Sequence, residues 1–175
     1  MIILRFVRHD DPASSAIIWK TGGNFSHVEA VTPDGKYLGA FGEKYKDFAP
    51  GTTARPMDYD SGKFAAQRFL ALQADDDMRA KWIHYLRACI GEPYDWGGLS
   101  ATIIAHIDFH DGHHVFCSAL QTLALRGCSY LKTALPVLAH DISPRDLELG
   151  LSMRDDVREI KPDDPEFIAH INAGL

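Results

Sequence analysis

Cys117 and Ser118 stand where a polar, histidine-bearing segment, His113-His114-Val115-Phe116, runs into the apolar series Ala119-Leu120-Gln121-Thr122-Leu123-Ala124-Leu125. Leu120, Leu123, Ala124 and Gly127 fall at the three-and-four spacing of one helical face. The pattern therefore sets Cys117 at or just inside a helix N-terminus. Unpaired backbone N–H groups and the positive end of the helix dipole favour an anion there. A thiol in that place ionises early, and a developing oxyanion finds donors. The other role open to a free cysteine is that of a small buried hydrophobe.

A thiol acting as a nucleophile needs a base, and the second stretch of interest is Phe25-Ser26-His27-Val28-Glu29-Ala30-Val31. Thr32-Pro33-Asp34-Gly35 after it has the composition of a tight turn, and Lys36 to Phe41 completes a hairpin. Side chains alternate along a strand, so His27 and Glu29 share one face and Val28 and Ala30 the other. An exposed hairpin face would also tolerate such a pair. A third group, Tyr94, Asp95 and Trp96, follows Gly91-Glu92-Pro93, where proline forbids continuation of the preceding helix. His106, His110, His113 and His114, with Asp108 and Asp111 between them, raise the separate possibility of a metal site. Asp111-Gly112 marks that segment as a loop, and no glutamate completes the zinc-protease pattern.

The elements that must position these groups are legible in outline. Ile2 to Arg8 reads as a strand. Asp11-Pro12 caps a short helix through Lys20, closed by Gly22-Gly23. Residues 42–62 read as loop, and Phe64 to Leu72 as a strand. Asp75-Asp76-Asp77 opens a long amphipathic helix through Trp82, Ile83, Leu86 and Ile90 that stops at Gly91. Leu99 to His106 is a candidate short helix. Ser143-Pro144 caps another, and residues 150–175 hold a surface turn at Lys161 to Pro165 and a terminal helix.

The chain has 175 residues and a net charge of −6. That length suits one domain with a substantial core. Without a basic excess, nucleic acid is excluded as the main partner. Three cysteines at wide spacing make neither a disulfide framework nor a zinc ribbon. The short apolar run at the N-terminus does not read as a signal peptide, and no stretch reads as a transmembrane segment. The expected location is the cytoplasm.

Ser26-His27-Val28-Glu29, Gly91-Glu92-Pro93-Tyr94-Asp95-Trp96 and Phe116-Cys117-Ser118, in that order, resemble the NlpC/P60 superfamily of papain-like cysteine hydrolases. The resemblance is to its circularly permuted, YiiX/LRAT-like branch, where the histidine strand precedes the cysteine helix. Ile142-Ser143-Pro144-Arg145-Asp146-Leu147 is similar to the segment that follows the core in this branch. Pro33-Asp34-Gly35, Leu38-Gly39-Ala40 and Arg55-Pro56 look like a bacterial and phage subgroup. The resemblance covers about residues 1–150, with 151–175 as a C-terminal extension of a single domain.

It implies an α+β, papain-like fold: a small antiparallel sheet packed against a central helix that bears Cys117. It further implies Cys117 as nucleophile and His27 as general base and acid, acting on an amide or peptide bond through an acyl-cysteine intermediate. No cofactor and no metal are implied, and cell-wall peptides are among the candidate substrates. The orienting residue usually comes from the following strand, at a place that falls near Gly39, which has no side chain to offer. Glu29 is the expected substitute, with Glu43 and Asp95 as further stand-ins. The substrate-binding set is Tyr94, Asp95, Trp96, His114 and Ser118. Two rival functions share the fold: an acyltransferase, thioester or lipid-directed enzyme, and a non-catalytic binding module.

Overall fold

A computed structural model describes residues 1–46, 49–95, 116–131 and 139–174. Six strands form one antiparallel sheet in the order β4-β3-β2-β1-β5-β6. They are β1 (Ile2–His9), β2 (His27–Val31), β3 (Lys36–Phe41), β4 (Gly51–Pro56), β5 (Phe64–Leu72) and β6 (Val157–Ile160). Five α-helices accompany them among the described residues: α1 (Pro12–Thr21), α2 (Asp76–Ala88), α3 (Cys117–Gly127), α4 (Pro144–Ser152) and α5 (Pro165–Ile171).

The helix boundaries follow from their caps. Asp11 accepts a hydrogen bond from Ser14 N–H at 2.8 Å, and Pro12 fills the first turn of α1. Asp75 caps α2 in the same way through Met78 N–H. Ser143 and Asp146 close a reciprocal capping box on α4.

Strand β1 is central because both of its faces are apolar, apart from Arg5. Ile2, Leu4 and Phe6 join Val28, Ala30, Leu38, Ala40, Leu70 and Leu72 under α2 and α3, where Trp82, Leu86, Leu120 and Ala124 complete the main core. Ile3, Val31, Tyr37, Phe69, Ala71 and Ile160 face the other way and are covered by Phe167 of α5. Burying both faces removes the exposed hairpin face that the His27–Glu29 alternation alone would have allowed.

Two strands depart from the sequence reading. The segment expected as loop over 42–62 contains β4, which lies at the sheet edge, where Pro56 costs no ladder bond at the strand's end. Past residue 150, set apart as an extension, β6 pairs with β5 and α5 docks on the second face, with His170 Nε2–H donating to Val31 O at 2.8 Å. The expected helix at Leu99 to His106 lies outside the described residues. Among the described residues, no helix is long and apolar enough to cross a membrane.

Candidate active site

Cys117 is the first residue of α3, whose N-cap position, Phe116, makes no side-chain capping bond. The helix is buried on more sides than a single stripe requires: Ser118, Gln121 and Thr122 are buried along with Leu120 and Ala124. Gln121 Nε2–H donates to Leu38 O at 3.1 Å and ties the helix to the sheet. The thiol, 3% exposed, therefore has a fixed place against β2.

The register of β2 explains how the thiol meets His27. Thr32 N–H bonds to Lys36 O, so the backbone groups of even-numbered residues in β2 face β3. The β2–β3 ladder consists of Ala30↔Leu38 and Val31↔Tyr37, and so does not reach Val28. The Val28 N–H that ladder leaves over is taken by Cys117 Sγ, which also receives the Ser118 N–H. The thiol reaches from the helix side to the start of β2, where the His27 ring is its hydrogen-bond partner. His27 Nε2 lies 3.6 Å from Glu29 Oε2, which leaves Nδ1 as the nitrogen that meets sulfur.

These contacts set the protonation of the pair. Burial alone would lower the His27 pKa, but the facing Cys117 thiolate and the Glu29 carboxylate outweigh it and push the value up to about 9. Burial would likewise raise the Cys117 pKa. The His27 imidazolium and the two backbone N–H groups reverse that and hold it below the usual thiol range. Both shifts run in the direction that favours a thiolate–imidazolium pair.

Glu29 is fully buried and held on three sides. Arg5 Nη1 is 2.7 Å from Oε1, Tyr59 O–H donates to Oε2 at 3.1 Å, and the His27 ring stands beyond. Arg5 also reaches Asp60 at 2.9 Å and Gln67 Oε1 at 2.9 Å. Gly39 lies across from Glu29: a Cβ added there would come 3.1 Å from the Glu29 Cβ. The missing side chain on β3 thus leaves the room that Glu29 fills from β2. The other stand-ins are elsewhere. Glu43 lines the cavity with its backbone O on Arg55, and Asp95 is buried beside Tyr94.

A cavity of about 420 Å³ opens on His27 and Tyr94. That is within the usual range for small-molecule sites. Its wall includes His9, Phe41, Tyr45, Arg55, Tyr59 and Asp60. His9 Nε2 is 3.2 Å from Asp60 Oδ2, and the His9 and His27 ring centroids are 5.9 Å apart. Phe41 packs against the His27 ring at 5.0 Å.

Tyr94 reaches this wall because Gly91 N–H bonds to Thr52 O and Thr52 N–H to Glu92 O, stitching its segment to the edge of β4. Gly51 permits the approach: a Cβ there would lie 2.5 Å from Glu92 O. Burial, with Cys117 and Asp95 nearby, pushes the Tyr94 pKa well above the ordinary phenol value.

Of the expected substrate-binding residues, the structure brings Tyr94 to the cavity. The Asp95 and Ser118 side chains are buried away from its described wall, and Ser118 contributes its backbone N–H instead. Trp96 and His114 lie outside the described residues, as do the histidines at 106, 110 and 113.

Sequence reasoning missed the His9–Asp60 wall with Arg5 behind it, and the aromatic group around Arg55. A lone arginine within the apolar run Ile2 to Val7 was the available signal, since a charge in a doubly buried strand requires a partner.

No protein-family model and no curated protein matches the chain. Among solved structures it is similar to the metalloprotein yiiX from Escherichia coli O157:H7. The TM-score is 0.61 at 11% identity, over 94% of this chain and 97% of that one. That likeness supports a related α+β fold. The metal is a property of yiiX; among the described residues here, no group of three or more His, Cys, Asp or Glu is arranged to hold a metal ion.

Proposed function

We propose that the protein is a cysteine hydrolase of the permuted, papain-like NlpC/P60 type, acting on an amide or peptide bond. The observation that carries the reading is the buried pair of Cys117 at a helix N-terminus and His27, with Glu29 behind the imidazole. The likeness of the whole chain to yiiX supports the fold on which such a pair would act.

In this reading the Cys117 thiolate attacks the scissile carbonyl, and its electron pair moves to the carbonyl oxygen. The resulting oxyanion sits where backbone N–H groups of the first turn of α3 are directed. The His27 imidazolium gives its Nδ1 proton to the departing nitrogen, the C–N bond breaks, and an acyl-cysteine remains. Neutral His27 then takes a proton from water as that water attacks the acyl carbon, and the carboxylic product leaves with restoration of the thiolate–imidazolium pair. Glu29 fixes the ring orientation and favours the charged imidazole, so it is a positioning residue.

The test is alkylation of Cys117 against pH, located by peptide mass mapping, in wild type and His27→Ala. An unpaired thiol titrates near about 8.5. Rapid alkylation at pH 6 that is lost in His27→Ala is the expected result. Ordinary thiol behaviour in both proteins would reject the dyad and leave a binding module.

A further inference from the structure

Two arginines are buried among the described residues, and only one of them has acidic partners. Arg5 is held by Glu29 and Asp60. Arg55 is 4% exposed and makes no ion pair among the described residues. Its hydrogen bond there runs from Nη2–H to the backbone oxygen of Glu43 at 2.7 Å, and its Nε–H is buried with no acceptor. The guanidinium carbon lies 3.7 Å over the Phe41 ring and 5.2 Å from the rings of Tyr45 and Tyr59. Aromatic faces attract a cation but accept no strong hydrogen bond, and they leave Nε–H without an acceptor. Burying an arginine without a counter-ion is costly, and structural arginines are normally paired.

The position of this cation gives it a use. Arg55 lines the same cavity as His27. Phe41 contacts both of them, its ring 3.7 Å from the guanidinium carbon and its centroid 5.0 Å from that of the imidazole. An anionic group on a bound molecule would meet Arg55 one short side chain away from the reacting centre. A guanidinium fork suits a carboxylate, which it can hold by two parallel hydrogen bonds.

The planar guanidinium favours a planar monoanion. Glu43 and Glu29 already attract Arg55 from a distance, Asp60 on the same cavity wall has Arg5 and His9 as its partners, and Lys44 and Lys63 also line the cavity. A phosphate monoester, with nearly two negative charges, would lie near the Glu29 and Asp60 carboxylates, with Arg55 as the buried cation that has no ion pair among the described residues.

We propose that Arg55 forms a carboxylate subsite in the cavity, so that the substrate is a small amide bearing a free carboxylate close to the scissile bond. This deepens the hydrolase reading and rests on it for the reaction, but the carboxylate subsite can be tested without turnover.

The first experiment is a thermal-shift titration of the wild-type protein with N-acetylglycine, its neutral analogue N-acetylglycinamide, and inorganic phosphate. N-acetylglycine is expected to raise the melting temperature in a concentration-dependent way, the amide is not, and Arg55→Met abolishes the effect. Arg55→Lys keeps the charge but loses the fork and weakens binding about tenfold; it decides the matter if Arg55→Met does not fold. Equal effects of the two acetylglycine probes, an unchanged effect in both variants, or a larger effect of phosphate would each overturn the proposal.

The second experiment compares alkylation of Cys117 by N-iodoacetylglycine and N-iodoacetylglycinamide. The carboxylate reagent is expected to react about tenfold faster in wild type, with most of that preference lost in Arg55→Met, where His27 is intact. A fast thiol without this preference would overturn the carboxylate subsite and leave the hydrolase reading standing. Slow alkylation that ignores His27, together with intact N-acetylglycine binding, would reject the hydrolase reading and leave the subsite.

Discussion

Replacing Glu29 by Gln keeps the shape of the side chain and removes the charge behind His27. The carboxylate oxygen is 3.6 Å from His27 Nε2. At an effective dielectric near 20, a full charge at that distance is worth about 4–5 kcal/mol to an imidazolium. Arg5, 2.7 Å from the same carboxylate, offsets much of this. The expected net effect is about 1–2 pH units on His27, which brings its pKa from about 9 towards about 7–8.

The assay is titration of the His27 ring proton by NMR in both proteins. Chemical denaturation across pH gives a second readout with a defined sign. A histidine whose folded pKa is raised contributes stability that is complete below its unfolded value near 6.5 and is lost as pH rises through about 9. For wild type that loss amounts to about 3 kcal/mol, and for Glu29→Gln to about half of it or less. Cys117, with its lowered pKa, works in the opposite direction, its contribution being lost as pH falls through its folded value, and because that lowering depends on the His27 charge the two groups titrate as a pair. The difference between the two proteins therefore reports what the Glu29 charge contributes to the Cys117–His27 pair. The variant also loses a buried ion-pair partner of Arg5, at about 3 kcal/mol, because Asp60 and Gln67 still hold the guanidinium. A His27 titration that stays at its wild-type value while this stability is lost would refute the reasoning, leaving Glu29 as a partner of Arg5 alone.

Two further outcomes test the supports of the site. Gly39→Ala sets a methyl group 3.1 Å from the Glu29 Cβ, which should cost about 1–3 kcal/mol in chemical denaturation and slow alkylation of Cys117 at pH 6; an unchanged denaturation midpoint and alkylation rate would show that the crowding is relieved without moving Glu29. His170 is a buried residue of α5 near the N-terminal amine and Arg79, and burial lowers its pKa below the ordinary 6.5. Its contribution to stability is present above 6.5 and lost as pH falls through the lowered value, so wild type should lose stability in mild acid and His170→Gln should lose less; equal acid sensitivity in denaturation curves would remove His170 from the account.

Much of the local structure was legible because its causes are local. Asp11-Pro12, Asp75 and Ser143-Pro144 cap the helices where the sequence placed them. Thr32 to Gly35 turns the hairpin, with Gly35 N–H on Thr32 O. Strand β4 was not legible, because Gly51, Thr52, Thr53 and Arg55-Pro56 carry no alternation of apolar and polar residues; pairing with β3 makes them a strand. The same holds for β6, a short polar stretch that is a strand by virtue of β5.

At the site, the sequence alone determined that Cys117 opens a helix, that His27 and Glu29 share a strand face, and that Gly39 has no side chain to orient the histidine. Those are consequences of periodicity and residue type, which act over a few neighbours. Tertiary structure decided the rest. The end of the β2–β3 ladder frees Val28 N–H for the sulfur, burial of the second sheet face turns Glu29 from a surface group into a charge held by Arg5 and Tyr59, and the return of β4 brings Arg55 over Phe41. Each depends on register between segments far apart in the chain, which no local pattern encodes, and on the loss of water, which turns those few charges into strong interactions.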